Sequence, residues 1–136
     1  MALPARTAAS RATPYICAVV TSNNGRTPYG VAYAVAHEVG HAVQRELGIR
    51  PIGASVKTME LQADCFSAMW VRHQVALGNA DARDKADARG TAQALGDYEY
   101  DSPGHHGTAD ERVWAWTLGY SRGLRYCLAL NPPVAG

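Results

Sequence analysis

The most informative stretch of this sequence is His37-Glu38-Val39-Gly40-His41. It lies in a segment where valine recurs every four residues from Val31 to Val43, and this spacing predicts an α-helix. Thr27 is a suitable N-cap and Pro28 suits the first helical position, so we predict a helix from Pro28 to Leu47. The stretch is therefore expected in the middle of the first helix.

Two histidines four residues apart on a helix point to the same side. At this spacing they are separated by roughly 40° around the helix axis and about 6 Å along it, so both imidazoles can bind one zinc ion (Zn2+) at about 2.0–2.1 Å. Glu38 can reach the metal without being a ligand, take a proton from zinc-bound water and deliver it to a leaving amine. The simpler alternative is an amphipathic helix with two surface histidines and an exposed glutamate.

A hydrolytic zinc site needs a third protein ligand, usually a histidine or a carboxylate. Glu60 and Asp64 follow in the next predicted helix and, being four residues apart, share one of its faces. We predict that Glu60 completes the ligand set and that Asp64 accepts the second ring N–H of a ligand histidine, which fixes its tautomer. The alternative is a solvated acidic face, although these carboxylates border an apolar stripe and not other charges.

Three helices are predicted after the first. The second begins near Ser55–Thr58, ends at Gly78, and carries an apolar stripe at spacings of three and four residues that we expect to be buried. The stripe consists of Met59, Ala63, Phe66, Trp70, His73 and Leu77. His73 is accordingly expected to be a packed core histidine. The third helix covers about Asp81 to Leu95 with Asn79 as a cap, and its alanine, arginine and aspartate content predicts a surface position.

The last predicted helix begins at a capping box, in which Thr108 and Glu111 satisfy each other's backbone amides. Its apolar stripe consists of Val113, Trp116, Tyr120 and Leu124. His105 and His106 lie in the loop before it and are candidates to stabilise the oxyanion of a hydrolytic reaction. We prefer His106 because it leads directly into the capped helix; ordinary loop histidines are the alternative. Arg112 is either a further charge donor or support for the site, or a surface arginine.

The composition is that of one globular domain. The 136 residues are 47% hydrophobic and carry a net charge of +1, which argues against nucleic acid or an anionic membrane surface as an obligate partner. No stretch approaches the roughly 18 to 20 consecutive apolar residues of a membrane helix, and the start of the chain is a poor secretory signal. The sequence therefore predicts a soluble chain and leaves its localisation open.

The three cysteines are far apart and form no CxxC pair, so they encode neither a cysteine-type zinc site nor a disulfide framework. A single bridge between Cys65 and Cys127 is possible in a secreted protein. Buried free thiols are the interpretation we favour.

These motifs, in this order, resemble the neutral zinc metallopeptidase family of bacteria. The resemblance covers roughly residues 31–127 and rests on residues 37–44, residues 60–70, Ala94-Leu95-Gly96-Asp97, and His106-Gly107-Thr108 with Arg112, Trp116 and Gly119. It implies bound zinc and peptide hydrolysis, with His37, His41 and Glu60 as metal ligands. It also implies that Glu38 is catalytic. The expected fold is mainly α, with about four helices and at most one or two short strands, as the helical part of a zincin-like metallopeptidase domain.

We expect an irregular N-terminal segment over residues 1–27, the metal-binding domain over 28–130 and a C-terminal tail over 131–136. Tyr15–Val20 is the one credible strand, whereas zincins usually align their substrate along the edge strand of a small sheet. Members of the family are generally longer and often carry an N-terminal membrane anchor. The chain is therefore expected to be shortened at its N-terminus.

Two functions follow from this interpretation. The first is a zinc-dependent metallopeptidase that hydrolyses peptide bonds in a peptide or protein substrate, with Glu38 as the general base and His106 as an oxyanion donor. The second is a truncated or non-catalytic zinc-binding domain, in which the metal is a structural staple for an alanine-rich core. A helical bundle without metal is a third interpretation.

Overall fold

A computed structural model describes residues 28–52, 56–98 and 104–133. These residues form five α-helices in the order α1 (Tyr29–Glu46), α2 (Lys57–Ala76), α3 (Ala82–Ala94), α4 (Ala109–Arg122) and α5 (Leu124–Leu130). The described part of the chain contains no strand, and the predicted mainly α fold is confirmed. The predicted strand Tyr15–Val20 and the predicted N-cap Thr27 lie outside the described residues. None of the described helices combines the length and the apolar character needed to cross a membrane.

Helix α2 is the centre of the fold and packs against each of the other four helices. Two glycines allow its closest neighbours to approach it. A Cβ atom at Gly40 of α1 would lie 3.1 Å from Cα of Ala63, and one at Gly119 of α4 would lie 2.0 Å from the carbonyl oxygen of Cys65. A side chain at either position would force the backbones apart. These close crossings hold the histidine-bearing face of α1 against the first turns of α2.

The buried core is built largely from small side chains. It consists of Tyr33, Ala34, Ala68, Val71, Ala88, Ala92 and Trp116. Two of these alanines belong to α3, which lies at the surface with one edge buried: of its 13 residues, Ala88, Thr91 and Ala92 are buried. Alanine carries little hydrophobic signal in a sequence, but it allows α3 to pack closely against α1 and α4.

The apolar stripe predicted to be buried on α2 is largely not the buried face. Trp70 is 38% exposed and Leu77 58% exposed, and His73 is exposed as well. The buried face consists of Gln62, Ala63, Asp64, Cys65, Ser67, Ala68 and Val71. Small and polar residues are buried there because α1 and α4 pack along that face. Polar groups of α1 and α4 pair with the polar side chains of α2.

Helix boundaries agree with the predictions to within a few residues. Pro28 is the N-cap of α1 and not its first helical residue, and Gly48, with φ of +68°, follows the end of that helix. The cap of α3 is Asp81, which forms a reciprocal capping box with Asp84, so the choice of Asn79 is wrong. The capping box of Thr108 and Glu111 at the start of α4 is confirmed.

The predicted last helix is two helices. Gly123, with φ of +80°, separates α4 from α5, and a disulfide between Cys65 and Cys127 ties α5 to α2. The preference for free thiols is therefore wrong, since the break at Gly123 turns Cys127 back towards α2. The bridge links residues 62 positions apart, and closing a loop of that length stabilises the fold by about 4 kcal/mol in the chain-entropy estimate.

Candidate metal centre

Three side chains that could together hold a metal ion converge where α1 crosses the first turn of α2. The Nε2 atoms of His37 and His41 are 3.1 Å apart. Glu60 faces both rings: Oε2 lies 2.9 Å from Nε2 of His37 and Oε1 lies 3.3 Å from Nε2 of His41. The sequence places two histidines on one face of α1, and the packing of α2 brings Glu60 to them.

The donor atoms of these residues fit a zinc ion. Two ligands bound tetrahedrally at 2.0–2.1 Å lie about 3.3 Å from one another. In this cluster the two imidazole nitrogens are 3.1 Å apart, and each has a different oxygen of Glu60 at 2.9 or 3.3 Å. Two imidazole nitrogens and one carboxylate oxygen are also a donor set found in hydrolytic zinc sites, where the fourth position is left for water. The cluster is the one group of this kind within the described ranges.

A buried charge network supports His37 from the other side. Nδ1 of its ring lies 2.9 Å from Oδ1 of Asp64, and Asp64 is fully buried. Arg112 donates to both oxygens of this carboxylate, through Nε at 2.8 Å and Nη2 at 2.9 Å. The hydroxyl group of Tyr33 also donates to Asp64 and accepts from Arg112 Nη2 at 2.8 Å. Arg112 is 1% exposed. It is therefore a buried support of the site and not a surface arginine.

Protonation in the metal-free cluster follows from these contacts. Burial alone would lower the pKa of His37, but hydrogen bonds to Asp64 and Glu60 outweigh it and raise the pKa to about 9. Burial would raise the pKa of Glu60, yet the two histidines hold it well below its usual range. Burial is likewise outweighed at Asp64, first by the charge of Arg112, and the pKa of this carboxyl is lowered. A metal cation binding here would replace a proton on His37.

On its Nδ1 side, His41 is supported by an amide group, where His37 has a carboxylate. Its Nδ1 lies 2.7 Å from Oε1 of Gln44. Nε2 of Gln44 donates to the carbonyl oxygen of Met59 at 2.8 Å and to Oε1 of Gln62 at 3.0 Å. The two histidines therefore have orienting partners of different charge.

The cluster opens into a cavity of about 480 Å³. Its lining consists of His37, Glu38, His41, Gln44, Arg45, Pro51, Val56, Met59, Glu60 and His106. Glu38 and His106, which come from α1 and from the loop before α4, thus share one cavity with the metal-binding cluster. This loop is held by a hydrogen bond from the backbone N–H of Asp97 to the carbonyl oxygen of Gly107, at 2.9 Å.

The two adjacent histidines of the loop have different environments. His106 is exposed and lines the cavity, and Asp97 accepts from its backbone N–H at 2.8 Å and faces its Nδ1 at 3.2 Å. His105 is 3% exposed, and its ring pairs with the other oxygen of Asp97. The structure therefore brings His106, and not His105, to the cavity.

Four supporting residues were not assigned a role from the sequence. Tyr33 lies four residues before His37 and Gln44 three residues after His41, so helical spacing alone could have placed both on the histidine face. Gln62 and Asp97 have no comparable local signal. The contacts of Gln62 are with residues 18 to 69 positions away, and those of the Asp97 side chain are with a loop eight and nine residues along the chain. Both sets lie beyond the range of helical spacing.

Comparisons with known proteins give a family and several similar proteins. The model of the family described as "putative neutral zinc metallopeptidase" matches residues 20–125. The uncharacterized protein YpfJ of Escherichia coli (strain K12) is 32% identical over 117 residues, which cover 70% of this chain and 41% of YpfJ. The uncharacterized protein Rv2575 of Mycobacterium tuberculosis is 31% identical over 124 residues, which cover 71% of this chain and 42% of that protein.

The chain spans about two fifths of the length of these curated relatives. No solved structure gives a significant match to it. The family match extends over most of the chain and includes every residue of the metal-binding cluster and the cavity. The chain therefore belongs to the family of putative neutral zinc metallopeptidases.

Proposed function

We propose that this protein is a zincin-type, zinc-dependent metallopeptidase that hydrolyses peptide bonds. The observation that carries the proposal is the convergence of His37, His41 and Glu60 beside a cavity that also contains a glutamate outside the ligand set. The three residues would hold the metal. Zinc bound there supplies Lewis-acid chemistry, which activates water and polarises a carbonyl group.

Glu38 is the proposed general base and later the general acid. It is half-buried on α1 between the two histidines and lines the cavity. It takes a proton from the attacking water and returns it to the leaving amine.

His106 is the proposed donor to the oxyanion that develops on the scissile carbonyl. Asp97 binds both its backbone N–H and its ring Nδ1, so the ring is oriented before a substrate arrives. With Nδ1 facing this carboxylate, Nε2 is the ring nitrogen left to face the oxyanion. Asp64 orients His37, and Arg112 balances the charge of Asp64.

The accessible cavity favours catalysis over a purely structural metal. A structural zinc site is usually closed by four protein ligands, whereas three ligands converge here beside open space of about 480 Å³. A peptide or protein is the proposed substrate, since the chemistry of water activation beside a general acid suits an amide bond.

The test combines metal quantification with cleavage of a broad library of fluorogenic peptides. Glu38→Gln should retain zinc and lose about 10²- to 10⁴-fold in hydrolysis, because only the proton-transferring group is removed. His41→Ala should lose both zinc and hydrolysis. Glu46→Gln is the matched control, an exposed glutamate on the same helix, and should behave as wild type.

Two outcomes would reject the proposal. Hydrolysis by Glu38→Gln at the wild-type rate would show that this residue is not the base. Zinc binding by the wild-type protein without cleavage of any peptide would show that the metal is structural.

A further inference from the structure

We propose that Gln62 and Gln44 form an amide relay that fixes the ring tautomer of His41 from the C-terminal helix α5. The proposal rests on the proposed metal-binding function of His41 and adds two positioning residues to it. Both glutamines are fully buried.

The relay begins at two atoms that can only accept hydrogen bonds. Nε2 of Gln62 donates to the backbone carbonyl oxygens of Cys127 and Asn131, each at 2.9 Å. A carbonyl oxygen has no proton to donate, so the amide group of Gln62 must point its NH2 towards them. Its Oε1 is thereby turned towards Gln44.

The same reasoning fixes the orientation of the second amide. Nε2 of Gln44 donates to Oε1 of Gln62 at 3.0 Å and to the carbonyl oxygen of Met59 at 2.8 Å. Both acceptors lack a proton, so Oε1 of Gln44 must face His41. The amide orientations therefore follow from the network and not from an arbitrary choice of oxygen and nitrogen.

The end of the relay determines which ring nitrogen of His41 is protonated. Oε1 of Gln44 lies 2.7 Å from Nδ1 and can only accept, so Nδ1 must carry the proton. In the neutral ring Nε2 then keeps its lone pair. This is the nitrogen that faces His37 and Glu60, and a metal ion requires it unprotonated.

The anchor of the relay is covalently held. Cys127 lies in the last turn of α5 and Asn131 is its C-cap, where helical carbonyl groups lack intrahelical partners. The disulfide to Cys65 ties this end to α2, one turn from Gln62 on the same helix. A neutral amide pair can thus orient His41 without adding negative charge to a cluster that already contains Glu60 and Asp64.

The experiment measures the tautomer and the metal affinity separately. Two-bond 1H–15N correlation spectra of the metal-free protein at mildly alkaline pH report which nitrogen of His41 carries the proton. Zinc affinity is measured by competition with a chelator. The variants are Gln44→Met, which removes the acceptor of His41, and Gln62→Met, which removes the anchor; Thr91→Val is the control, because it removes a buried hydrogen bond on α3, outside the relay.

We expect the Nδ1–H form of His41 in the wild-type protein and in Thr91→Val. Gln44→Met should populate the Nε2–H form and bind zinc about 10- to 100-fold more weakly, the range seen when partners of metal ligands are removed. Gln62→Met should shift the His41 tautomer and the zinc affinity in the same direction as Gln44→Met. The shifts should be smaller, because Gln44 keeps its hydrogen bond to the carbonyl oxygen of Met59. Gln44→Met leaves the carbonyl groups of α5 paired and tests the relay even if Gln62→Met does not fold.

If His41 keeps the wild-type tautomer in both variants, the relay is overturned, whether or not zinc binds more weakly. Any loss of zinc affinity would then come from a general loosening of the structure and not from a change in the His41 ring. Zinc affinity within twofold of wild type in both variants would also overturn it. Failure of the peptidase proposal would appear elsewhere, as an absence of hydrolysis with the tautomer unchanged.

Discussion

The α1–α2 pair has two sides of opposite character. One side is polar and buried: it contains the histidine–carboxylate cluster and the Asp64–Arg112 pair, in which Asp64 is 0% and Arg112 1% exposed. The other side is an apolar groove of about 660 Å³. The groove is lined by Ala32, Val35, Ala36, Val39, Gly40, Val43, Phe66, Met69, Trp70 and Leu124, and Val39 is 56% exposed in it.

The usual relation between polarity and burial is reversed across these two helices. The polar side is buried because each charge has a partner, since Asp64 meets Arg112 and His37 while Glu60 meets both histidines. The hydrophobic effect alone would have favoured the groove. The difference teaches that paired polar contacts, together with a core of mostly small side chains, select which faces of α1 and α2 meet.

The largest loss of stability should come from removing the charged group of Arg112 on the polar side. Arg112→Met removes the guanidinium group from the buried carboxylate of Asp64 and leaves His37 as the remaining partner, and we expect the free energy of unfolding to fall by about 3–5 kcal/mol. Urea denaturation of the metal-free protein measures the change. Arg89→Met, at an exposed position on α3, should change stability by less than about 0.5 kcal/mol. Equal stabilities of the two variants would mean that paired charges do not hold this side together.

Removing the disulfide should cause the second largest loss of stability, because it holds α5, which borders both sides. Its Leu124 lines the apolar groove, while its Cys127 carbonyl group is paired on the polar side. Replacing both Cys65 and Cys127 with alanine should lower the free energy of unfolding by about 2–4 kcal/mol, measured by thermal and urea unfolding. A reductant should destabilise the wild type and leave the double variant unchanged. Free thiols in the unreduced wild type would contradict the bridge.

The smallest loss of stability is expected for a substitution in the apolar groove. Val39→Ala should change the free energy of unfolding by less than about 0.5 kcal/mol, since Val39 is 56% exposed. The same deletion at Val71, which is fully buried on α2, should cost about 1–3 kcal/mol. Urea denaturation of the two variants side by side makes the comparison. Equal losses would show that the groove is covered in solution and would end the contrast between the two sides.

Local patterns accounted for much of the fold. The helical positions of His37 and His41, the extent of α2 and the capping box at Thr108 all depend on residues within one or two turns. Their interactions are set by helix geometry and can be predicted from spacing. Errors arose where packing overrode local pattern, at the exposed His73 and at the break before α5.

The sequence by itself determined which chemistry is possible: two imidazoles on one helical face with a glutamate between them, and a pair of carboxylates one turn apart on the next helix. The tertiary structure alone decided how these groups meet. The close approach at Gly40 and Ala63 brings Glu60 to both histidines, and the packing of α4 buries Arg112 on Asp64. The reason is physical, because helix geometry is fixed over a few residues, whereas the partner of a buried charge depends on residues as far apart as 64 and 112.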